Sequence, residues 1–511
     1  MSAVAAIARK LDDWLNPIAV KELRQAVQAR LIAGLLLLFL VGLLVTTMAL
    51  ASGRGRYGTD YEGTGGGVFI VLYGILVGTC VGLVPLYCGG RLMAERTGAH
   101  ADLLFATALR PRSIVWGKFS SGLILIVLIY SACAPFLTLT YLLRGIDLSA
   151  VFFLLGIGFL LSALSLACML FLACVPTSNL LRGLLGLVWL VVTFYVLLYF
   201  MRLVGRYVEY GGALGRGEFW AVVATTAACT LVPTGFLFVA SVSLMSPPSA
   251  NRILPVRVYV TIAWLLMGIV VYFALDPPYL RFTWAEFCIF IFCCGLLVAV
   301  SERDRIGPRI ARTVPRSRLR RPLAFLFYTG SAGGVVWSCL MIGLTLLALI
   351  VCDVARFSGY PVAIAAERTQ AMLGMAAYAF AYALTGYVLQ RSFFPRAGTG
   401  QTWMLALCVA ALAFLPPIAG YLFRADPFLG RQGSPLWMIG TPLLVFDRDH
   451  AGLATSFAGA WAAVVFVLAL PRLWRQVVDF RPLARRRRAP ADLEARPGVV
   501  EARAEAEAEP S

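Results

Sequence analysis

The chain has 511 residues, of which 60% are hydrophobic and only 14% are charged. Soluble globular proteins are close to half apolar and a quarter charged, so this composition excludes an ordinary soluble domain. The net charge of +18 would suggest nucleic acid in a soluble protein, but here the basic residues fall mainly in short loops and in the C-terminal tail. In that position they indicate membrane topology, and we expect no nucleic-acid partner.

An amphipathic helix is predicted within a cytoplasmic N-terminal segment of residues 1–30. Asn16 is a good helix cap, and Pro17 is favoured at the first helical position. Apolar residues then recur at helical spacing with polar residues on the other faces, which is typical of a helix on a membrane surface. On physical grounds alone a plain interfacial anchor is the simplest interpretation. The residues that mark this helix are Lys21, Leu23, Arg24 and Val27.

Long apolar segments with almost no charge inside them follow as far as residue 470. The first, at 31–51, has no ionisable side chain and is long enough to cross about 30 Å of hydrocarbon as a helix. Because lipid offers the backbone no hydrogen-bond partners, continuous helices are expected. The sequence therefore predicts an all-α, polytopic membrane helical bundle of about twelve transmembrane helices in two six-span halves. We expect spans at 31–51, 67–90, 119–143, 149–175, 183–204, 219–245, 256–275, 284–301, 331–352, 370–390, 402–423 and 452–470.

The loop predicted after the second span, residues 91–118, is more apolar than a simple connection requires. Leu103, Leu104 and Phe105 would give a short helix an apolar surface, and Pro111 would stop that helix. Such a surface should dock, either on the protein's own helices or on a partner.

Lys and Arg are concentrated in alternate loops throughout the chain. Applied to this alternation, the positive-inside rule predicts that both termini are cytoplasmic, which requires an even number of spans. We therefore expect a multi-pass protein of a prokaryotic cytoplasmic (inner) membrane.

The second six-span domain, residues 247–470, is either a diverged repeat of the first domain, residues 31–246, or an accessory domain. After its second span it contains Glu302-Arg303 and then Pro315-Arg316-Ser317, where the first half has Glu95-Arg96 and then Pro111-Arg112-Ser113. Short strings of this kind also recur by chance in Arg-rich loops, so both interpretations stay open. If the repeat is real, this loop is a second coupling loop, marked by Glu302, Arg303, Pro315 and Arg316.

The tail, residues 471–511, is predicted to be disordered, first basic and then rich in Ala and Glu. Such a segment cannot bury a core. Its run of arginines, Arg485 to Arg488, is expected to bind anionic membrane lipids at about 1 kcal/mol per residue.

Two stretches resemble the permease subunits of type-2 ATP-binding-cassette (ABC) exporters. The first reads Asn-Pro-x-x-x-Lys-Glu-Leu-Arg from Asn16. The second reads Glu-Arg from Glu95, Asp-Leu-Leu-x-Ala-Thr-x-Leu from Asp102 and Ile-Val-x-Gly-Lys from Ile114. The resemblance covers roughly residues 16–245. The chain departs from the family pattern at Ala99-His100, where the family often has Gly-Thr, and at Ala108, where it often has proline.

This resemblance implies a transmembrane domain of six spans whose short helix after the second span couples to a separate ATPase subunit. Carried over residue by residue, it makes the coupling region Glu95, Arg96, Leu103, Leu104, Arg110 and Pro111. The helix near Lys21 would be the interfacial helix of the family. Since the family works as a pair of six-span domains, the resemblance implies either a homodimer or a pseudo-dimer within one chain.

Catalytic and cofactor motifs are absent from the sequence. It has no G-x-x-x-x-G-K-[ST] phosphate loop, no H-E-x-x-H and no G-x-S-x-G, and its cysteines lack CxxC spacing. We therefore expect no enzyme activity, no metal and no cofactor in this chain, with ATP bound by the partner subunit.

Three other classes of function remain as alternatives. A secondary active transporter driven by an ion gradient suits twelve spans in two sets, but acidic residues within the spans are nearly missing. An integral-membrane transferase would need acidic or histidine residues grouped near one interface, and we find no such group. A non-transporting membrane scaffold is the third alternative.

Overall fold

The computed structural model describes twelve stretches and four single residues of the chain. They are residues 17–28, 34, 37, 40–45, 48, 64–97, 111–142, 146–209, 217–247, 249–273, 278–302, 304, 307–356, 362–393, 401–422 and 435–482. Across these described stretches the regular structure is helical and contains no β-strand. The protein is therefore an all-α, polytopic membrane helical bundle, as the sequence predicts.

The chain divides into two compact units, the first of which comprises Met1–Pro248 and Arg252–Trp284. Its described helices are a short helix before the predicted first span and a series of helices after it, most of them long and apolar. They are α1 (Pro17–Gln28), α2 (Thr64–Gly78), α3 (Val84–Thr97), α4 (Pro111–Leu142), α5 (Leu148–Cys174), α6 (Asn179–Glu209), α7 (Gly217–Met245), α8 (Leu254–Phe273) and the start of α9 (Pro278–Val300).

The second unit comprises Ser249–Asn251 and Ala285–Ser511. After the rest of α9 its helices are α10 (Pro308–Ala311), α11 (Arg320–Phe327), α12 (Ser331–Arg356), α13 (Val362–Phe393), α14 (Gln401–Leu422), α15 (Pro435–Gly440) and α16 (Ala451–Asp479). A short 3₁₀ helix, Pro442–Phe446, lies between α15 and α16. Tyr378 and Tyr382 of α13 donate hydrogen bonds to the carbonyls of Met438 and Ile439, so α13 holds α15 in place.

Ten helices in the described part of the chain are long and apolar enough to cross a membrane. They coincide with ten of the predicted spans, from the second to the tenth and the twelfth. Most of the predicted first span lies outside the described residues, and the eleventh corresponds to α14, whose described apolar part is only Leu405–Ala419. The multi-pass architecture is thus confirmed, and a count of twelve spans stays a prediction.

The core of the first unit is centred on α5, which packs against α3 and α7. Tyr73 of α2 is fully buried and donates a hydrogen bond to the Leu154 carbonyl of α5. Between α2 and α3 the second span contains a π-helical turn, Thr79–Leu83. Ser165 of α5 donates its hydroxyl to the Val81 carbonyl inside this turn, at 2.6 Å. Side-chain donation of this kind is one way a membrane helix satisfies a backbone group at an irregular turn.

The boundary between the compact units differs from the predicted boundary at residues 246 and 247. Helix α8 belongs to the first unit because it packs on α7. The hydroxyl of Tyr259 donates to the Val232 carbonyl at 2.8 Å, beside Gly235, where a side chain would collide with the tyrosine ring. The two six-span domains and their repeat relationship stay a hypothesis.

Candidate functional site

Helices α1, α3 and α4 meet around one buried lysine, Lys118 of α4. Its ammonium lies 2.9 Å from Glu22 of α1 and 2.7 Å from Glu95 of α3, and its side chain is 5% exposed. Arg91 of α3 lies 3.8 Å from the second oxygen of Glu22. We call Glu22, Arg91, Glu95 and Lys118 the ion cluster; its two carboxylates and two cations balance one another.

The position of Glu22 explains why α1 is held in place. Lys21 and Arg24, on either side of it, are exposed, whereas Glu22 is buried where α1 packs on α4. A charge removed from water is tolerated only when it is paired, and Lys118 supplies the pairing. Gln25, one turn further along α1, accepts a hydrogen bond from Arg91, which also donates to the Tyr87 hydroxyl at 3.2 Å.

The predicted loop 91–118 is wrong in its boundaries, because the flanking helices extend into it. Helix α3 continues to Thr97 and α4 begins at Pro111, which leaves residues 98–110 between them. The helices extend beyond the apolar segments because their polar residues pair with one another across α1, α3 and α4. Glu95 and Lys118 are therefore carried by helices rather than by a loop.

Arg96 fastens the end of α3 to the end of α5. Its guanidinium donates to the Ala173 carbonyl at 2.9 Å, in the last turn of α5, where a helix exposes unpaired carbonyls and attracts cations. The helices that flank residues 98–110 are thus anchored, α3 through Glu95 and Arg96 and α4 through Lys118.

The structure brings together only part of the predicted coupling region. Glu95 and Arg96 lie in or next to the ion cluster, and Pro111 is the first residue of α4, a position that proline favours. The remaining three predicted residues, Leu103, Leu104 and Arg110, lie outside the described residues, as does the short helix predicted around them.

Helix α1 lies at the position of the predicted interfacial helix, whose location at the membrane surface stays a prediction, and the marker residues differ in exposure. Lys21 and Arg24 are exposed and Leu23 is half-buried, and the side chain of Val27 lies outside the described residues.

Sequence reasoning missed Glu22, Arg91 and Lys118 as members of a site. A usable signal was present at Lys118, which is an isolated charge immediately before a long apolar run. An ionisable group at the edge of a span is worth examining, because it needs water or a partner.

The second unit contains its own partly buried polar network, centred on Asp304. The Asp304 carboxylate accepts hydrogen bonds from Arg391 of α13 at 2.7 Å, from Ser331 of α12 at 2.7 Å and from Gln476 of α16 at 2.9 Å. Gln476 also accepts from the Ala332 amide at 3.0 Å. We call Asp304, Ser331, Arg391 and Gln476 the Asp304 network.

Among the described residues of the predicted second coupling loop, Glu302 contacts this region. Glu302 accepts a hydrogen bond from the Gly330 amide at 2.7 Å, and its carbonyl accepts one from Arg391 at 3.0 Å. Pro315 is half-buried and Arg316 is exposed, and neither belongs to the Asp304 network. Arg303 lies outside the described residues.

The two predicted six-span halves share an arrangement, with spans counted from the start of each half. In each, a carboxylate after the second predicted span contacts the start of the third: Glu95 contacts Lys118, and Asp304 contacts Ser331. In each, an arginine also links the segment after the second span to the end of the fourth, namely Arg96 and Arg391. The residue types differ, so the likeness is one of position rather than of chemistry.

Neither a metal-binding group nor a similar known protein identifies the function. Over the stretches that the structure describes, no group of three or more His, Cys, Asp or Glu side chains is placed to hold a metal ion. No protein-family model matches the chain, and no curated protein or solved structure matches it.

Proposed function

We propose that this protein is the permease subunit of an ABC export system, which moves its substrate by alternating access driven by a separate ATPase subunit. One observation carries the proposal: the ion cluster joins α1 to the helices on both sides of residues 98–110. Those residues resemble the coupling helix of type-2 ABC permeases, and α1 corresponds to the interfacial helix. A partner that pushes on this segment would therefore act on three helices at once.

The ion cluster would transmit such a push because its members separate only at a large cost. Removing one partner from a buried charge pair costs about 3–5 kcal/mol, so α1, α3 and α4 should move together. Arg96 would extend the motion to α5 through the Ala173 carbonyl. In this proposal the ATPase binds and hydrolyses ATP, and the residues of this chain transmit the motion.

The proposal includes a location and further partners. The protein would lie in a prokaryotic cytoplasmic membrane with both termini in the cytoplasm, and Arg485 to Arg488 would bind anionic lipids there. It would act as a homodimer, or as a pseudo-dimer if its second unit replaces a second subunit. The shared positions of Glu95 and Asp304 favour the pseudo-dimer.

An affinity pull-down in mild detergent tests the proposal. The tagged wild-type protein, at native expression level, should co-purify with an ATPase subunit, and Leu103→Asp with Leu104→Asp should abolish the co-purification. Charged side chains on the apolar docking surface would have to be buried unpaired at the interface. The measurement is ATP hydrolysis and subunit content of the eluate.

Val499→Asp with Val500→Asp is the matched control. It makes the same double change at two adjacent valines of the tail, which is not predicted to dock, and it should co-purify with the ATPase as wild type does. Absence of any ATPase from the wild-type eluate would refute the proposal and favour a secondary transporter, for which ion-gradient-driven flux is the next assay. If neither ATPase nor flux is found, the scaffold alternative remains.

A further inference from the structure

Helices α3, α5 and α6 of the first unit line an open groove of about 610 Å³. Its walls are apolar and come from Leu86 and Met93 of α3, Met169 of α5, and Leu187 and Leu190 of α6. The volume falls within the range of about 300–1,000 Å³ that is usual for ligand sites. Along α6 the groove extends from Arg182 to Leu190, a rise of about 12 Å for a helix.

Three glycines keep the groove open. A Cβ atom added at Gly90, Gly183 or Gly186 would meet no heavy atom within 4 Å. These glycines are therefore not points of close contact between helices. Gly89 is such a point, because a Cβ atom there would lie 2.5 Å from the Met169 side chain. The space beside them is free for a ligand.

One end of the groove is positively charged. Arg182 lines it, in the first turn of α6, where the helix dipole adds positive potential. One guanidinium nitrogen of Arg182 donates to the Thr177 carbonyl at 3.0 Å, while its Nε atom is buried without a hydrogen-bond partner. Arg96 lies close enough to interact electrostatically with Arg182. Among the described residues, neither arginine has a carboxylate within ion-pair distance.

The apolar part of the groove opens along a helix that is mostly uncovered within its unit. Of the apolar part of this helix, within Leu180–Val208, only 6% is buried. Leu187 and Leu190 are 61% and 47% exposed, so the groove is continuous with a surface suited to lipid chains. An apolar channel that ends at Arg182, with Arg96 near enough to interact with that arginine electrostatically, matches an amphiphile with one negative head.

We propose that this groove binds one anionic phospholipid, with an acyl chain between α3 and α6 and the phosphate at Arg182 and Arg96. Guanidinium groups bind phosphate oxygens through charge-assisted hydrogen bonds, and Arg182, which uses one terminal nitrogen for Thr177, keeps the other for that purpose. Basic pockets between transmembrane helices are known to take anionic lipid heads. The site is distinct from the arginine run of the tail and does not depend on the transport proposal.

Native mass spectrometry of the detergent-solubilised full chain tests the site. The protein is titrated with dioleoyl phosphatidylglycerol and, separately, with dioleoyl phosphatidylcholine. We expect one lipid to bind with at least about tenfold preference for the anionic species, because the choline ammonium of the other lipid offsets the attraction of its phosphate to the arginines. Arg182→Gln should remove that preference, because glutamine retains a donor for Thr177 but carries no charge.

Two variants on the same helix serve as matched controls. Arg202→Gln removes an exposed arginine outside the groove and should leave the preference unchanged. Gly186→Leu should block the groove and reduce binding of both lipids. Gly205→Leu makes the same change at another open glycine outside the groove, and binding should match wild type.

Four other outcomes would each overturn the proposal. Equal binding of the two lipids by wild type would show an apolar groove without head-group recognition. Full lipid binding by Gly186→Leu would show that no acyl chain lies in the groove. Competition by inorganic phosphate alone, with no effect of Gly186→Leu, would assign the arginines to a free phosphate ion. A change from dimer to monomer in Gly186→Leu, with lipid binding intact, would assign the groove to a second copy of the chain.

Discussion

At the scale of single residues, Lys118 has the most demanding environment in the ion cluster. It is almost completely buried and has two carboxylates within 3 Å, one on α1 and one on α3. Such a lysine is stable because Glu22 and Glu95 compensate its charge, and each carboxylate in turn depends on the lysine. Removing the lysine therefore leaves two negative charges near one another, with Arg91 as the remaining cation.

Lys118→Met should lower the free energy of unfolding by about 3 kcal/mol, the cost of leaving a buried charge without its partner. Methionine has a similar length, so the packing volume is nearly retained. The measurement is thermal unfolding in detergent, followed by tryptophan fluorescence. Lys21→Met, next to Glu22 but exposed, is the control and should change stability by no more than about 0.5 kcal/mol. Equal unfolding temperatures for the two variants would mean that the ion cluster does not hold α1.

In the second unit, the geometry of its hydrogen bonds holds the Arg391 side chain in place, as well as its charge. Its Nε atom lies 2.7 Å from one oxygen of Asp304 and its terminal nitrogen lies 3.2 Å from the other, while the same nitrogen reaches the Glu302 carbonyl. Its guanidinium also lies over the Tyr387 ring, 5.4 Å from the centroid. A lysine offers a single point charge and cannot reproduce these contacts.

Arg391→Lys is therefore expected to destabilise the second unit, although it conserves the charge. The loss should be about 1.5–3 kcal/mol, the usual value of a hydrogen bond to a charged group. The same unfolding assay measures it, with Arg316→Lys as the control, since Arg316 is exposed. If both variants unfold at the wild-type temperature, the bidentate geometry is not required for stability.

At the scale of helices, α2 and α5 come into close contact at Gly158. A Cβ atom there would lie 2.5 Å from the Tyr73 hydroxyl and 2.9 Å from the Tyr130 hydroxyl. Tyr73 cannot swing away easily, because it is fully buried and hydrogen-bonded to Leu154. Small residues at helix contacts are a common device in membranes, where close packing replaces the hydrophobic effect between helices.

Gly158→Ala should destabilise the first unit by about 1–3 kcal/mol through overpacking. Gly156→Ala, two residues earlier on the same helix, meets no heavy atom within 4 Å and should be neutral or more stable by up to about 1 kcal/mol. Thermal unfolding of the pair gives the difference directly. A destabilisation of both variants by the same amount would exclude a specific contact at Gly158.

The element boundaries show where hydropathy stops being informative. The apolar pattern predicts a span from residue 119, yet α4 begins at Pro111. The eight additional residues include polar and charged ones whose helical state depends on contacts with α1, including the contact of Lys118 with Glu22. Hydropathy identifies the part of a helix that lies in hydrocarbon, and it does not report the turns that are held by pairing outside it.

At the scale of the whole molecule, the positive-inside rule predicts that both termini lie in the cytoplasm. Reporter fusions test this: a fluorescent protein that matures only in the cytoplasm should be bright when joined at either terminus. The same reporter inserted after Gly212, between α6 and α7, should be dark, because this connection is predicted to be external. A dark signal from one terminus and a bright signal from the other would require an odd number of spans.

The sequence by itself determined the class of the protein and the positions of most spans. Lipid leaves a backbone no partners outside its own segment, so an apolar run such as that of α5 becomes a helix for local reasons. Only the tertiary structure decided which polar groups meet. Glu22 and Lys118 are 96 positions apart, and the groove beside Arg182 needs three helices at once. Those encounters depend on the rotation and depth of each helix, which are set by packing between distant segments and not by any local pattern.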